Sequence, residues 1–173
     1  MRHKLFLLFF FVILAFPFQS YASSSYVLPY PGSMPGSFSY KPHLLFEKVL
    51  EYWYFGNFSQ FEYNLKESGK YLVEAKTLFD YQQYLLGYSA LKKSDNYFER
   101  TKPSLIKAKS EGKDISRNLL ILSNAAEKHI EVIEKLKKEN PEEFNWQPEK
   151  TKASLLNLKS QFDASVEVRK KYL

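Results

Sequence analysis

FSQFEYNLKESGKYLVEAKTLF, residues 58 to 79, sets Phe58, Phe61, Leu65, Ser68, Leu72, Ala75 and Phe79 at alternating steps of three and four. Steps of that size keep returning to one side of a 3.6-residue helix, so the stretch predicts a long helix with a single buried stripe. Asn57 or Ser59 is placed to cap its start. Gly69 weakens the helix by about 1 kcal/mol relative to alanine, so tertiary packing must hold it. Asp80 with Tyr81 and Tyr84 marks a tight reversal. Tyr81, Tyr84, Tyr88, Leu91 and Phe98 then resume helical spacing, with the polar Asp95 between the last two. A second helix is expected over about 82–101, ended or kinked by Lys102-Pro103.

Upstream, Pro42 sits where a helix can begin, because its missing N–H costs nothing in the first turn. Leu45, Phe46, Val49, Leu50 and Trp53 give helical spacing up to a stop at Gly56. Before that, residues 23–41 are rich in serine, proline and glycine and allow no regular element. Tyr26, Val27, Leu28, Tyr30, Met34 and Phe38 make this segment too apolar for a disordered linker. It is expected to lie against the helices as a strap, with a proline-rich recognition segment as the alternative. Downstream, Ile115, Leu119, Leu122, Ala126, His129, Ile133 and Leu136 again step by four and three. Pro141, Asn145, Trp146 and Pro148 read as a turn. Leu155, Leu158, Phe162, Ser165, Arg169 and Tyr172 outline a last helix whose stripe grows polar. The fold class is therefore all-α: a small helical bundle in which a helix-hairpin unit is followed by a C-terminal antiparallel helix pair.

Residues 1–22 carry a cationic start (Arg2, His3, Lys4), an unbroken apolar run from Leu5 to Phe16, the breaker Pro17, and the small-residue pattern Ser20-Tyr21-Ala22. That is the layout of a secretory signal peptide, with cleavage expected after Ala22. The alternative is a retained anchor that tethers the chain to a membrane. An apolar run of 12 to 14 residues spans roughly 18–21 Å as a helix, short of the roughly 30 Å of a bilayer's hydrocarbon. Export without a single cysteine suits a bacterial envelope or exterior better than a disulfide-forming secretory pathway. The expected location is thus the periplasm, cell envelope or exterior. The expected segments are the signal peptide at 1–22, the strap at 23–41, an aromatic-rich helical hairpin unit at 42–101 and a charged antiparallel helix pair at 102–173. Removing Arg2 and Lys4 reduces the formal charge from +6 to +4, an ordinary surplus that gives no nucleic-acid footprint.

The leader LPYPGSMPGSFSY, then KPHLLFEKVLEYW, then FEYNLKESGKYLVEAKTL, make Leu28 to about Thr101 resemble a bacterial extracytoplasmic helical family, the domain of unknown function number 5667. Leu72-Val73-Glu74-Ala75 matches the Leu-x-Glu-Ala core of that family, whereas Gly69 and the run Tyr52-Trp53-Tyr54-Phe55 depart from it. The resemblance implies an all-helical domain outside the cytoplasm and transfers no catalytic residue.

Chemistry-bearing motifs are sparse. The chain after residue 22 has two histidines, His43 and His129. Neither belongs to a His-x-x-x-His or Glu-x-x-His pair, so no metal site and no cofactor is expected. His129 reads as a half-buried seam residue. No Gly-x-Ser-x-Gly elbow supports a hydrolase. Glu74, Asp80, Asp95 and Glu99 are candidate paired carboxylates, but they fall on helix faces among lysines, where charges are usually solvated. The chain is accordingly read as a non-enzyme.

Two binding features remain. Tyr52, Trp53, Tyr54 and Phe55 are consecutive aromatics that cannot all face one side of a helix, so they are the candidate ligand or membrane contact. The competing reading is that the strap covers them as a corner of the core. The second feature is a basic surface formed by Lys102, Lys107, Lys109, Lys113, Lys135, Lys137, Lys138, Arg169, Lys170 and Lys171. The expected role is an exported, non-catalytic interaction or structural module of the envelope, working through an unidentified protein partner or self-association. The alternative is a peripheral binder of envelope glycan or anionic lipid.

Overall fold

The computed structural model describes residues 26–30, 32–149 and 152–173. The signal peptide expected at 1–22 and the first residues of the strap lie outside them. The chain runs α1 (Tyr40–Glu51), α2 (Asn57–Asp80), α3 (Tyr84–Glu99), α4 (Thr101–Ser110), α5 (Ser116–Glu139), β1 (Glu143–Trp146), β2 (Ser154–Asn157) and α6 (Leu158–Lys170). It is a mostly all-α small bundle carrying one two-stranded antiparallel ribbon. No helix among the described residues is long and apolar enough to cross a membrane.

Helix α2 is the central element and packs on α3, α4 and α5, while α6 packs on α5 and α3. Its predicted stripe splits between two cores. Phe61 and Leu65 join Phe98, Leu105, Leu122, Ala125 and Ala126 in one. Leu72, Ala75, Leu78 and Phe79 join Ala90, Leu91, Ile133, Leu136, Leu158, Phe162 and Val166 in the other. Both cores draw side chains from 42–101 and from 102–173, so the two stretches share their packing. Between the cores, Ser68 and Ser94 exchange hydrogen bonds, each hydroxyl donating to the other's carbonyl oxygen at 2.8 Å. Small residues whose polar groups are satisfied let α2 and α3 approach closely there.

Three local features differ from the sequence reading. Pro103 does not end a helix but lies in the first turn of α4, where no intrahelical N–H is lost, and the break falls at Arg100. The expected turn at 141–148 contains β1, whose register with β2 runs from Glu143↔Asn157 to Trp146↔Ser154. Leu155 is therefore an exposed ribbon residue and not part of the last helix. Phe144 and Leu156 pin the ribbon to the bundle, with the Phe144 ring 4.7 Å from that of Tyr84.

The described part of the strap lies along the helices as expected. Tyr26 packs on the core of Phe61 and Leu65, and Leu28 and Met34 on that of Leu72 and Phe79. Pro29 crosses directly over Gly69, where an added Cβ would stand 2.6 Å from Pro29 Cδ. The glycine that weakens α2 in isolation thus admits the strap. Gly69→Ala is expected to detach Pro29, because a ring carbon bonded to backbone nitrogen cannot swing away. The alanine returns about 1 kcal/mol of helix propensity, so global stability changes little while the strap loosens. Faster chymotryptic cleavage after Tyr26 checks this; an unchanged cleavage rate would show that the strap is held elsewhere.

Candidate functional site

Helix α1 is amphipathic in the inverse of the usual sense. Its buried residue is Glu47, whereas Leu45, Phe46 and Val49 are 58–66% exposed and Tyr52, Trp53 and Phe55 are 77–81% exposed. Leu45, Phe46 and Val49 share the outer side of the helix, and Tyr52, Trp53 and Phe55 extend the exposed apolar surface into the corner that follows it. The orientation is fixed by polar bonds on the inner face. Tyr63 donates its hydroxyl to the Glu47 carbonyl oxygen at 3.0 Å, and Tyr71 donates to Glu47 Oε2 at 3.2 Å. Tyr40 donates to Glu74 at 3.0 Å. Lys70 pairs with Glu47 and, at 3.0 Å, with Glu67. His43 Nε2 stands 3.0 Å from Glu47 Oε1.

Crowded carboxylates with little water shift one another's protonation. Burial, and then the Glu47 charge, push the Glu67 carboxyl above its ordinary range against the pull of Lys70. Glu74 is raised by burial, opposed by its bond from Tyr40. The Tyr71 hydroxyl is raised by burial and by Glu47. Burial works against the Lys70 ammonium, but its two glutamate partners outweigh it and raise its pKa. The inner face of α1 is thus a largely desolvated polar latch, and rotating α1 to bury its apolar stripe would break it.

The four residues singled out from the sequence separate. Tyr52, Trp53 and Phe55 stand in solvent at the α1–α2 corner, where Gly56 turns the chain with φ 88°. Tyr54 turns inward, its ring 4.9 Å from that of Tyr63. The strap does not cover the corner as the core reading required: Tyr26 and Pro29 lie along α2, and Gly32 lies against His43 in the first turn of α1.

Beside α1 lies an open groove of about 760 Å³, walled by α1 and α3 and floored by Tyr71 and Tyr97. The two floor rings are parallel, with centroids 5.6 Å apart. Lys41 and Lys48 line it from α1, and Lys92, Lys93 and Arg100 from α3 and its end. Arg100 pairs with Glu51 at 3.2 Å. The four lysines have no carboxylate within ion-pair distance among the described residues. The sequence reading missed this set; its one local signal was the Lys92-Lys93 doublet.

The other candidates resolve differently. Asp80 is a surface partner of Lys76 at 2.6 Å, Glu99 is exposed, and Glu74 belongs to the α1 latch. Asp95 is not on a solvated face: it pairs with Arg169, which is fully buried and so no part of a basic surface. In the rest of that surface, Lys113, Lys135, Lys137 and Lys170 pair with Glu111, Glu139, Asp163 and Glu167. His129 is wholly buried rather than half-buried, its Nδ1 accepting from Arg169 Nε at 3.2 Å. Among the described residues, no group of three or more histidines and carboxylates is arranged to hold a metal ion.

No family model matches the chain, and neither a curated protein nor a solved structure matches it significantly.

Proposed function

We propose that this chain is an exported, non-catalytic interaction module of the cell envelope that docks peripherally on an anionic lipid surface through the outer face of α1. The observation that carries the reading is the outward apolar stripe from Leu45 to Phe55. A latch of buried polar groups holds that stripe outward, although an aqueous surface would favour the opposite rotation. Trp and Tyr are the side chains suited to the headgroup layer, where an apolar ring and a polar edge are both accommodated, and Phe55 adds apolar area beside them. Lys41 and Lys48 flank the stripe on the groove side, and a lysine near an anionic bilayer contributes about 1 kcal/mol. An apolar face beside lysines is the pattern of a helix lying in the interface plane. Placement outside the cytoplasm rests on the cationic start, apolar run and small-residue pattern of residues 1–22.

The test is co-sedimentation with phosphatidylglycerol-rich vesicles against phosphatidylcholine vesicles. The wild type is expected to partition onto the anionic vesicles in a salt-sensitive way. The triple variant Phe46→Ser, Val49→Ser, Trp53→Ser should lose about tenfold or more in partitioning, since it removes three interfacial apolar groups. Its melting temperature should change little, because these side chains leave the core untouched. Equal partitioning of variant and wild type would overturn the reading. So would a concentration-dependent dimer that the triple variant abolishes, which would assign the face to a second copy of the chain.

A further inference from the structure

We infer that the groove between α1 and α3 is a binding site for a phosphate-bearing sugar, either free or carried as a lipid headgroup. Its volume of about 760 Å³ falls within the size range of small-molecule sites. Tyr71 is buried against Tyr97, and Arg100 lies over the Tyr97 ring at 5.3 Å, so a sugar would meet the half-exposed Tyr97 edge and the exposed Asn96 amide at the wall. Lys41, Lys48, Lys92 and Lys93 converge on this space from two helices that are far apart in sequence.

Four like charges around one concavity repel each other, and repulsion is relieved when an anion enters. Lysine provides point charges whose ammonium groups donate to phosphate oxygens from many directions, so two pairs on opposite walls fit a ligand with more than one phosphate. The carboxylates near the floor weaken this field without forming an ion pair with any of the four lysines. Glu47 and Glu67 share Lys70, Glu51 pairs with Arg100, and Glu74 acts on Lys93 at longer range. Lys93 lies over the Tyr71 ring at 5.0 Å, already poised between the floor and the opening.

The test uses the full chain with fructose 1,6-bisphosphate as a soluble probe, followed by calorimetry and by the shift of melting temperature. Saturable binding is expected, falling about tenfold or more in Lys92→Gln/Lys93→Gln as two phosphate contacts are lost. Lys107→Gln/Lys109→Gln, on α4 away from the groove, should bind like the wild type. A second arm offers vesicles doped with phosphatidylinositol phosphate. Binding there that Lys92→Gln/Lys93→Gln weakens, without binding of the soluble sugar, assigns the ligand to a headgroup. Absence of saturable binding in both arms overturns the inference. So does equal loss in the α4 control, or tighter binding of oligoglutamate than of either phosphate probe. The soluble arm contains no bilayer, so its result is independent of whether the outer face of α1 docks on lipid.

Discussion

Asp95→Ala is expected to lower the stability of the fold by about 3–5 kcal/mol, the scale seen when one partner of a buried ion pair is removed. Arg169 is fully buried near the end of α6. Its Nη1 donates to Asp95 Oδ1 at 2.5 Å and to the Ser165 carbonyl oxygen at 2.8 Å, and its Nη2 donates to Ser94 Oγ at 2.8 Å. Its Nε donates to His129 Nδ1, and the guanidinium lies 5.1 Å over the Phe98 ring. Asp95 in turn accepts from Ser165 Oγ at 2.7 Å and Gln161 Nε2 at 3.0 Å. Burial pulls the Arg169 pKa down and Asp95 pulls it back up. Alanine at position 95 leaves a desolvated cation bonded only to neutral acceptors, with the Glu99 charge acting on it without a bond. Arg169→Met should cost less, because the Asp95 side chain keeps 13% of its surface in solvent and can rehydrate. The double variant should recover part of the Asp95→Ala loss, which a double-mutant cycle in urea would measure. A loss below about 1 kcal/mol for Asp95→Ala would mean that Arg169 finds water without it.

What periodicity reveals is a face; it does not reveal which way that face points. The stripes of α2 and α5 were legible because apolar residues recur over five or more turns with no competing polar set. They are buried, apart from a half-buried Phe58 and Ile115 at their starts and an exposed Leu119 where α5 begins. In α1 the spacing correctly predicted a helix, but Tyr40 and Glu47 bind groups of α2 that are 23 to 34 positions away. Those long-range bonds, which no local pattern records, turned the apolar side outward. Arg169 was read as polarity entering the end of a stripe, whereas its carboxylate partner lies 74 residues earlier. The ribbon escaped for a related reason: two four-residue strands carry too few alternations to be distinguished from a turn and a helix start. The groove was invisible because Lys41 and Lys48 meet Lys92 and Lys93 only once α1 and α3 are placed side by side.

Phe98→Ala is expected to cost about 3–5 kcal/mol at neutral pH and to change how stability depends on acid. Phe98 is fully buried, with its ring 5.1 Å from that of His129 and 5.2 Å from that of Tyr172, and it seals the apolar side of the Arg169 network. Burial, and then the Arg169 charge, hold the His129 pKa well below the ordinary histidine value. An unfolded chain takes up that proton as pH falls through about 6.5 while the folded chain does not, so folding loses stability in acid, with a limiting slope near 1.4 kcal/mol per pH unit. Glu67 and Glu74, whose folded pKa values are raised, act in the opposite sense, and their contribution to stability falls as pH rises. Comparing variants at matched pH cancels those terms. Removing the ring admits water to His129 and relaxes its depression, so the gap between wild type and Phe98→Ala should narrow from about pH 7.5 to about pH 5. Phe98→Leu, which still excludes water, should cost less and keep the wild-type slope. Urea denaturation at the two pH values decides the matter: parallel losses for Phe98→Ala and wild type would show that something other than this ring keeps His129 dry.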